Sequence, residues 1–239
     1  WTVDLEHDFY SQPLNMAGYK LIHLGKWHVV GPNPELETQL PLKKKLRQPG
    51  NGTFEWLAKH QSPELQAYYP QGKGYHENVG GTWWGDPARG KKEGYNFKTG
   101  GYESPYGNPF IKERKDGEWL TDRLTDDAID FMKRHKDQPF LVNLNYYTVH
   151  RPTVARSQDS LKKYQNKKGD SSTGQGPKLN NEIAAYATMV ESLDDNVGRL
   201  VEFLNKSGLR ENTILIFTSD NGHNRPSQTN NLRAGKGTI

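Results

Sequence analysis

Asp220 and Asn221, held between Ser219 and Gly222 directly after the run Ile214-Leu215-Ile216-Phe217-Thr218, set a carboxylate beside an amide oxygen. Two oxygen donors in tandem suit a hard cation such as Ca2+ better than a thiolate-preferring ion. If the apolar run is a buried strand, the pair stands at the carboxyl edge of a sheet, where open α/β sheets bind ligands. Asp-Asn-Gly is also an ordinary turn sequence whose short side chains bond their own backbone. The pair therefore gains weight only from its company: Lys26 and His28 in Gly25-Lys26-Trp27-His28, His150 in Thr148-Val149-His150-Arg151-Pro152, and Lys236 in Leu232-Arg233-Ala234-Gly235-Lys236-Gly237-Thr238. Glycines flanking Lys236 let the backbone approach a bound anion while the ammonium reaches it. Singly, such residues read as a solvated lysine or a packed histidine. Together they describe an anion site beside a hard cation, and the expectation is that Lys26, His28, His150 and Lys236 converge in one cleft next to Asp220.

The elements that must position these groups follow from periodicity. Tyr19–Leu24 reads as a short strand, and a period of two carried past its end puts Lys26 and His28 on one face with Trp27 opposite. Phe140–Tyr147 reads as a buried strand delivering His150. Thr213–Thr218 reads as a third, delivering Asp220. Between them, Asp122–His135 has the spacing of an amphipathic helix, with Leu124, Ala128, Phe131, Met132 and His135 on one face and Thr121 as a cap. Asn181–Lys206 reads as a long helix ended by Gly208, with Ile183, Tyr186, Ala187, Val190, Leu193, Val197, Leu200, Val201 and Leu204 inward. Arg156–Lys178 is polar and reads as a mobile surface loop. Pro32–Pro109 has no sustained period and reads as long loops over the strand ends. Its aromatic group Tyr68, Tyr69, Trp83, Trp84, Tyr95, Phe97, Tyr102 and Tyr106 would serve equally as sugar-stacking faces or as loop packing. Alternation of strand and helix predicts an α/β fold with a largely parallel (mixed) sheet and helices on both faces; no internal repeat is evident.

With 239 residues, 33% hydrophobic and 11% aromatic, the chain is long enough for a real core and lies on the polar side of globular proteins. A mean hydropathy of -0.94 and the lack of any long apolar run exclude a membrane-spanning helix. The absence of Cys excludes disulfides within this sequence. Asn51-Gly52-Thr53 and Asn205-Lys206-Ser207 fit glycosylation acceptors. A net charge of +4 raises the question of nucleic acid. The lysines, however, group at Lys43-Lys44-Lys45, Lys91-Lys92, Lys162-Lys163 and Lys167-Lys168 in loop-like segments with no nucleic-acid motif beside them. Attraction of a polyanionic glycan is the more economical use of that charge.

The same residues carry a resemblance. The succession A-G-Y-K-x-x-x-x-G-K-W-H, G-E-W-L-T-D-R-L-T-D-D-A-I-D-F, H-x-P, S-L-D-D-N-V-G-R-L, I-F-T-S-D-N-G and L-R-A-G-K-G-T, running from Ala17 to Thr238, resembles the type I sulfatases of the alkaline-phosphatase superfamily. The arylsulfatase-A-like enzymes that desulfate polysaccharides are the most similar in pattern, with a segment like Asn78-Val79-Gly80-Gly81 before the G-E-W-L-T-D-R motif. The resemblance implies that Lys26 and His28 surround the sulfate and the nucleophile, that His150 and Lys236 hold sulfate oxygens, and that Asp220 and Asn221 are two ligands of one Ca2+. Sulfuryl transfer spreads negative charge over the equatorial and leaving oxygens, so prepositioned Lys, His and a divalent ion stabilise it where it develops; His150 would protonate the departing alcohol.

Two parts of the family pattern are missing from residues 1–239: the C/S-x-P-S-R segment that becomes the formylglycine nucleophile, and an N-terminal pair of Asp calcium ligands. Ser11-Gln12-Pro13-Leu14-Asn15 imitates the first without its Arg. The sequence thus reads as an internal part of a sulfatase catalytic domain, expected to be inactive alone, whose complete form would hydrolyse a sulfated carbohydrate or aryl sulfate in a periplasmic, extracellular or lysosomal setting. Alternatives are a non-catalytic binder of sulfated glycans, or a phosphatase or phosphodiesterase of the superfamily. The last is disfavoured by Asn221, a poor zinc ligand where two-zinc relatives place a His.

Overall fold

The computed structural model of the chain describes residues 3–30, 63–87, 99–167, 181–222 and 236. It divides into two units, Trp1–His150 and Arg151–Ile239.

In the first unit, three parallel strands lie in the order β2-β1-β3: β1 (Lys20–Gly25), β2 (Glu77–Val79) and β3 (Phe140–Asn145). The β1 and β3 strands run in register from Lys20 opposite Phe140 to Gly25 opposite Asn145. A central parallel strand is covered on both faces, so Leu21 to Gly25 are buried without alternation. The flanking β3 is only half-buried, less than its apolar sequence suggests. The helix α1 (Ser11–Met16) leads into β1, α2 (Pro63–Gln66) and a 3-10 turn (Pro70–Lys73) lead into β2, and α3 (Leu120–Arg134) packs on β1 and β3. This is the expected parallel α/β arrangement. The 3-10 turn and β2 fall inside the stretch read as loop, because a three-residue strand is too short to show a period.

The α3 helix buries Leu124, Ala128, Phe131 and Met132 as its spacing predicts, but starts earlier than expected, with Trp119 at its N-cap and no side-chain cap. Thr121 therefore lies inside the first turn, where its hydroxyl bonds that of Thr148 at 2.6 Å. The motif around it is structural. Arg123 is buried, with Nε donating to Asp127 at 2.8 Å, and Nη1 to Glu118 at 3.1 Å and to the Lys112 carbonyl at 2.8 Å. Tyr106 donates its hydroxyl to the Glu118 carbonyl at 2.8 Å, and Arg114 also pairs with Asp127. Buried charges require such complete pairing.

Of the aromatic group, Tyr69, Trp83, Tyr102 and Tyr106 are fully buried and so belong to packing rather than to a sugar-stacking surface. Tyr68 and Trp84 are half-buried, while Tyr95 and Phe97 lie outside the described residues, as do Asn51, Lys43 to Lys45, Lys91, Lys92 and Lys168.

In the second unit, α4 (Gln158–Gln165) occupies part of the stretch read as a mobile loop. Ser157 caps it, accepting from the Ser160 amide at 3.1 Å, a signal hidden by the polar composition. Residues 168–178 of that stretch lie outside the described part. The helix α5 (Asn181–Lys206) has the expected bounds and packs on α4, but it is turned from the expected face. Ala184, Ala185, Thr188, Met189, Ser192, Asn196 and Leu204 are buried, whereas Val190 is 44% exposed. Small and hydrogen-bonding residues are preferred on the packed face: Thr188 accepts from the Arg156 amide at 3.3 Å, and Asn196 donates to the Ser192 carbonyl at 2.8 Å. The expected strand over Thr213–Thr218 is not formed; these residues have no regular secondary structure, with Ile214 90% and Phe217 70% exposed. A strand needs a partner ladder, and the second unit has none among the described residues. No described helix is long and apolar enough to cross a membrane.

Candidate active site

Strand β1 ends at Gly25, and the reason is steric. Gly25 has φ +86, and a Cβ there would stand 2.0 Å from the Asn145 carbonyl oxygen. Only Gly permits both the left-handed turn and the close approach. Past it, the Lys26 amide donates to the Asn145 carbonyl at 2.8 Å, and Asn145 Nδ2 returns a bond to the Lys26 carbonyl at 3.1 Å. The ends of β1 and β3 are thereby fastened together. Although Lys26 to His28 are not strand residues, the expected alternation survives: Trp27 is buried, with its indole N–H on the Tyr68 carbonyl at 2.9 Å, and Lys26 and His28 are half-exposed.

Beneath this turn lies His23, fully buried. Its Nδ1 accepts from Asn143 Nδ2 at 3.1 Å and its Nε2 donates to the Gly25 carbonyl at 3.3 Å, with Trp27 and Tyr75 edge-on to the ring. Burial holds its pKa down at about 4, partly offset by the Gly25 and Lys26 carbonyls, so the ring is neutral near pH 7. This residue supports the Lys26–His28 turn rather than meeting solvent, and sequence reasoning did not single it out.

His28 takes the left-handed conformation at φ 52, unusual for a residue with a Cβ. Its amide donates to the Thr82 carbonyl at 3.2 Å, and its ring lies against Gly85, where an added Cβ would be 2.6 Å from Cε1. The next residue, Asp86, places Oδ1 2.6 Å from His150 Nδ1. His150 is held from behind as well: its amide donates to the Tyr147 carbonyl at 2.8 Å, and the buried Tyr102 hydroxyl bonds the carbonyls of Tyr147 and His150 at 2.8 and 3.0 Å. Burial, then the Asp86 charge, raise the Tyr102 phenol well above its usual range. The segment from Thr82 to Asp86 is anchored through its neighbours: Gly80 accepts at its carbonyl from Tyr147 Oη at 2.9 Å and from Asn108 Nδ2 at 3.1 Å.

Lys26, His28 and His150 thus belong to the first unit, with the two histidines against consecutive residues Gly85 and Asp86. Asp86 was missed by sequence reasoning because Trp84-Gly85-Asp86-Pro87 reads as a turn and no period places it. Asp220, Asn221 and Lys236 are exposed residues of the second unit. Near the pair, Ser219 donates its hydroxyl to the Asn221 carbonyl at 2.8 Å, the local bonding of a turn. Among the described residues no three His, Cys, Asp or Glu side chains form a group able to hold a metal ion.

Known proteins place this chain. It is 32% identical over 223 residues to the uncharacterized sulfatase YdeN of Escherichia coli, covering 92% of this chain and 34% of the relative. It is 27% identical over 195 residues to the N-acetylgalactosamine-6-O-sulfatase of Bacteroides thetaiotaomicron, covering 82% of this chain and 30% of that protein. The chain therefore spans about a third of the length of these curated relatives. Among solved structures, Ps i-CgsB in complex with k-i-k-neocarrahexaose superposes with a TM-score of 0.63 at 24% identity, over 99% of this chain and 45% of that one. The putative sulfatase yidJ of Bacteroides fragilis gives 0.55 at 20% identity, over 92% and 45%. Both likenesses establish an alkaline-phosphatase-like fold. Since the sulfatase family profile matches residues 10–239, nearly the whole chain, this protein belongs to the sulfatase family.

Proposed function

We propose that the complete protein hydrolyses sulfate esters of a carbohydrate or aryl alcohol, with Lys26, His28, His150 and Lys236 around the transferring sulfate and Asp220 and Asn221 as two ligands of one Ca2+. The observation that carries this reading is the meeting of His28 and His150 at Gly85 and Asp86, beside the fastened turn that bears Lys26. Two imidazoles set against consecutive residues, with a lysine two positions before one of them, suit an anionic ester: the ammonium would offset charge on the sulfate oxygens, and an imidazole would move a proton to or from the ester oxygen. Asp220 and Asn221 fit a calcium site by chemistry, both presenting hard oxygen donors; the ion, once bound, would lend its charge to the developing anion. Residues 1–239 contain no C/S-x-P-S-R segment for the family's formylglycine, so the roles proposed for this chain are binding, charge stabilisation and proton transfer. A sugar sulfate is favoured as the substrate class because the Bacteroides thetaiotaomicron relative is named for a sulfated N-acetylgalactosamine.

The test is an assay of the complete protein on 4-nitrophenyl sulfate and on sulfated amino sugars, with Ca2+ and after chelation. Turnover is expected to require Ca2+, and Lys236→Ala is expected to lower kcat by about 10²-fold or more, as for loss of one charge-stabilising donor. Binding of sulfated sugars with no turnover of any sulfate ester would replace this reading by that of a non-catalytic binder.

A further inference from the structure

We propose that Asp86 is the positioning residue that fixes the tautomer and orientation of His150, so that His150 Nε2 is the atom exchanging a proton with the ester oxygen; the catalytic half of this statement rests on the sulfatase reading above. Asp86 Oδ1 stands 2.6 Å from His150 Nδ1. An ionised carboxylate only accepts, so Nδ1 carries the hydrogen of that bond, and Nε2 is the ring nitrogen to which the proton exchange is assigned. The two side chains are 31% and 33% exposed. An ion pair that open contributes little to stability, so its value lies in geometry.

The surrounding bonds point the same way. Thr121 and Tyr102 fix the backbone around His150 through Thr148 and through the carbonyls of Tyr147 and His150, contacts that act on the main chain and not on the imidazole. Asp86 is the acidic group paired with the ring. Its own place is set by the segment that also receives the His28 amide on Thr82 and the His28 ring on Gly85. One five-residue stretch therefore aligns both histidines relative to each other, although nothing in the spacing of His28 and His150 along the chain would do so.

The proton balance is simple. As the bond from sulfur to the leaving oxygen breaks, its electron pair stays on that oxygen, and the proton on His150 Nε2 moves to it, giving the alcohol. The sulfuryl group passes to an oxygen nucleophile and ultimately to water, the co-substrate of ester hydrolysis. His150 is left neutral with its hydrogen on Nδ1, still held by Asp86, which stays a carboxylate throughout. Help of this kind counts most where the leaving oxygen is strongly basic and least where it departs as a stabilised phenolate.

The experiment uses the complete protein and its Asp86→Ala and Asp86→Glu variants, with two readouts. In the first, 15N-detected histidine NMR above neutrality, with His150 assigned by its loss in His150→Gln, should show the neutral ring of the wild type as the Nδ1–H tautomer. In Asp86→Ala it should revert to mainly Nε2–H. In the second, Asp86→Ala should lower kcat/KM about 10²-fold or more for a sugar sulfate, and at least tenfold less for 4-nitrophenyl sulfate. Asp86→Glu should recover part of the sugar-sulfate loss. If Asp86→Ala does not fold, the wild-type tautomer and the Asp86→Glu substrate ratio decide. A wild-type ring that is mainly Nε2–H, or an equal loss on both substrates, overturns the proposal. A wild type that shows the Nδ1–H tautomer yet hydrolyses no sulfate ester retires the sulfatase reading while leaving the Asp86–His150 pair standing.

Discussion

Acidification should weaken the turn that carries Lys26 and His28, because that turn rests on a histidine the fold keeps neutral. His23 is buried among Trp27, Tyr75 and Asn143, and desolvation lowers its pKa from 6.5 to about 4. Protonation would place a second N–H against the Asn143 amide group that now donates to Nδ1. The unfolded chain, with an ordinary histidine, binds the proton first. Between about pH 6.5 and 4 the unfolded state therefore holds more protons, and stability falls as pH falls. The contribution is complete above the unfolded pKa and exhausted below the folded one. At about 1.4 kcal/mol per unit, the shift corresponds to about 3 kcal/mol in full, most of which is gone by pH 4.5. Urea unfolding of the wild type and of His23→Gln at pH 7 and pH 4.5 isolates this term, since Gln keeps a donor and an acceptor but does not titrate. The stability difference between the two proteins should shrink by about 2–3 kcal/mol on acidification, whatever the variant costs at pH 7. A difference unchanged by pH would refute the reasoning and mean that His23 is hydrated or paired in its charged form.

Three further outcomes follow from the packing. Arg123→Ala leaves Glu118 buried without its guanidinium and Asp127 dependent on Arg114. It should cost about 3 kcal/mol in denaturant unfolding. Gly25→Ala demands a Cβ at φ +86 and 2.0 Å from the Asn145 carbonyl oxygen, so the ends of β1 and β3 must part. It should lower stability by more than about 2 kcal/mol, the strain of the left-handed residue plus the clash, with faster amide exchange at Lys26. Gly85→Ala sets its Cβ against the ring of His28 rather than backbone; under the proposed role of His28 it should lower kcat of the complete protein on sulfate esters about tenfold or more while shifting the unfolding midpoint far less than Gly25→Ala does, as expected for a misplacement of about an ångström.

The sequence by itself was enough for the family, for the parallel α/β class and for the bounds of α5. Long helices and buried parallel strands write their period into many residues at once, and the motif from Gly25 to His28 needs a glycine for a reason that Gly25 and Asn145 make visible. Short elements escaped it: β2 has three residues, and α4 is announced only by the Ser157 cap amid polar neighbours. The buried face of α5 also escaped, because apolarity pointed to Val190 and its neighbours while close packing selected Ala185, Ser192 and Asn196. The run from Ile214 to Phe217 shows the limit most directly, since its composition is that of a strand but a strand exists only by pairing. What tertiary structure alone decided is that Glu118, Arg123 and Asp127 form a buried clamp, that His23 is a neutral support, and that His28 and His150 share the segment ending in Asp86. These are contacts between residues distant in the chain, and no local period or propensity encodes a contact whose two halves are brought together only when the sheet closes.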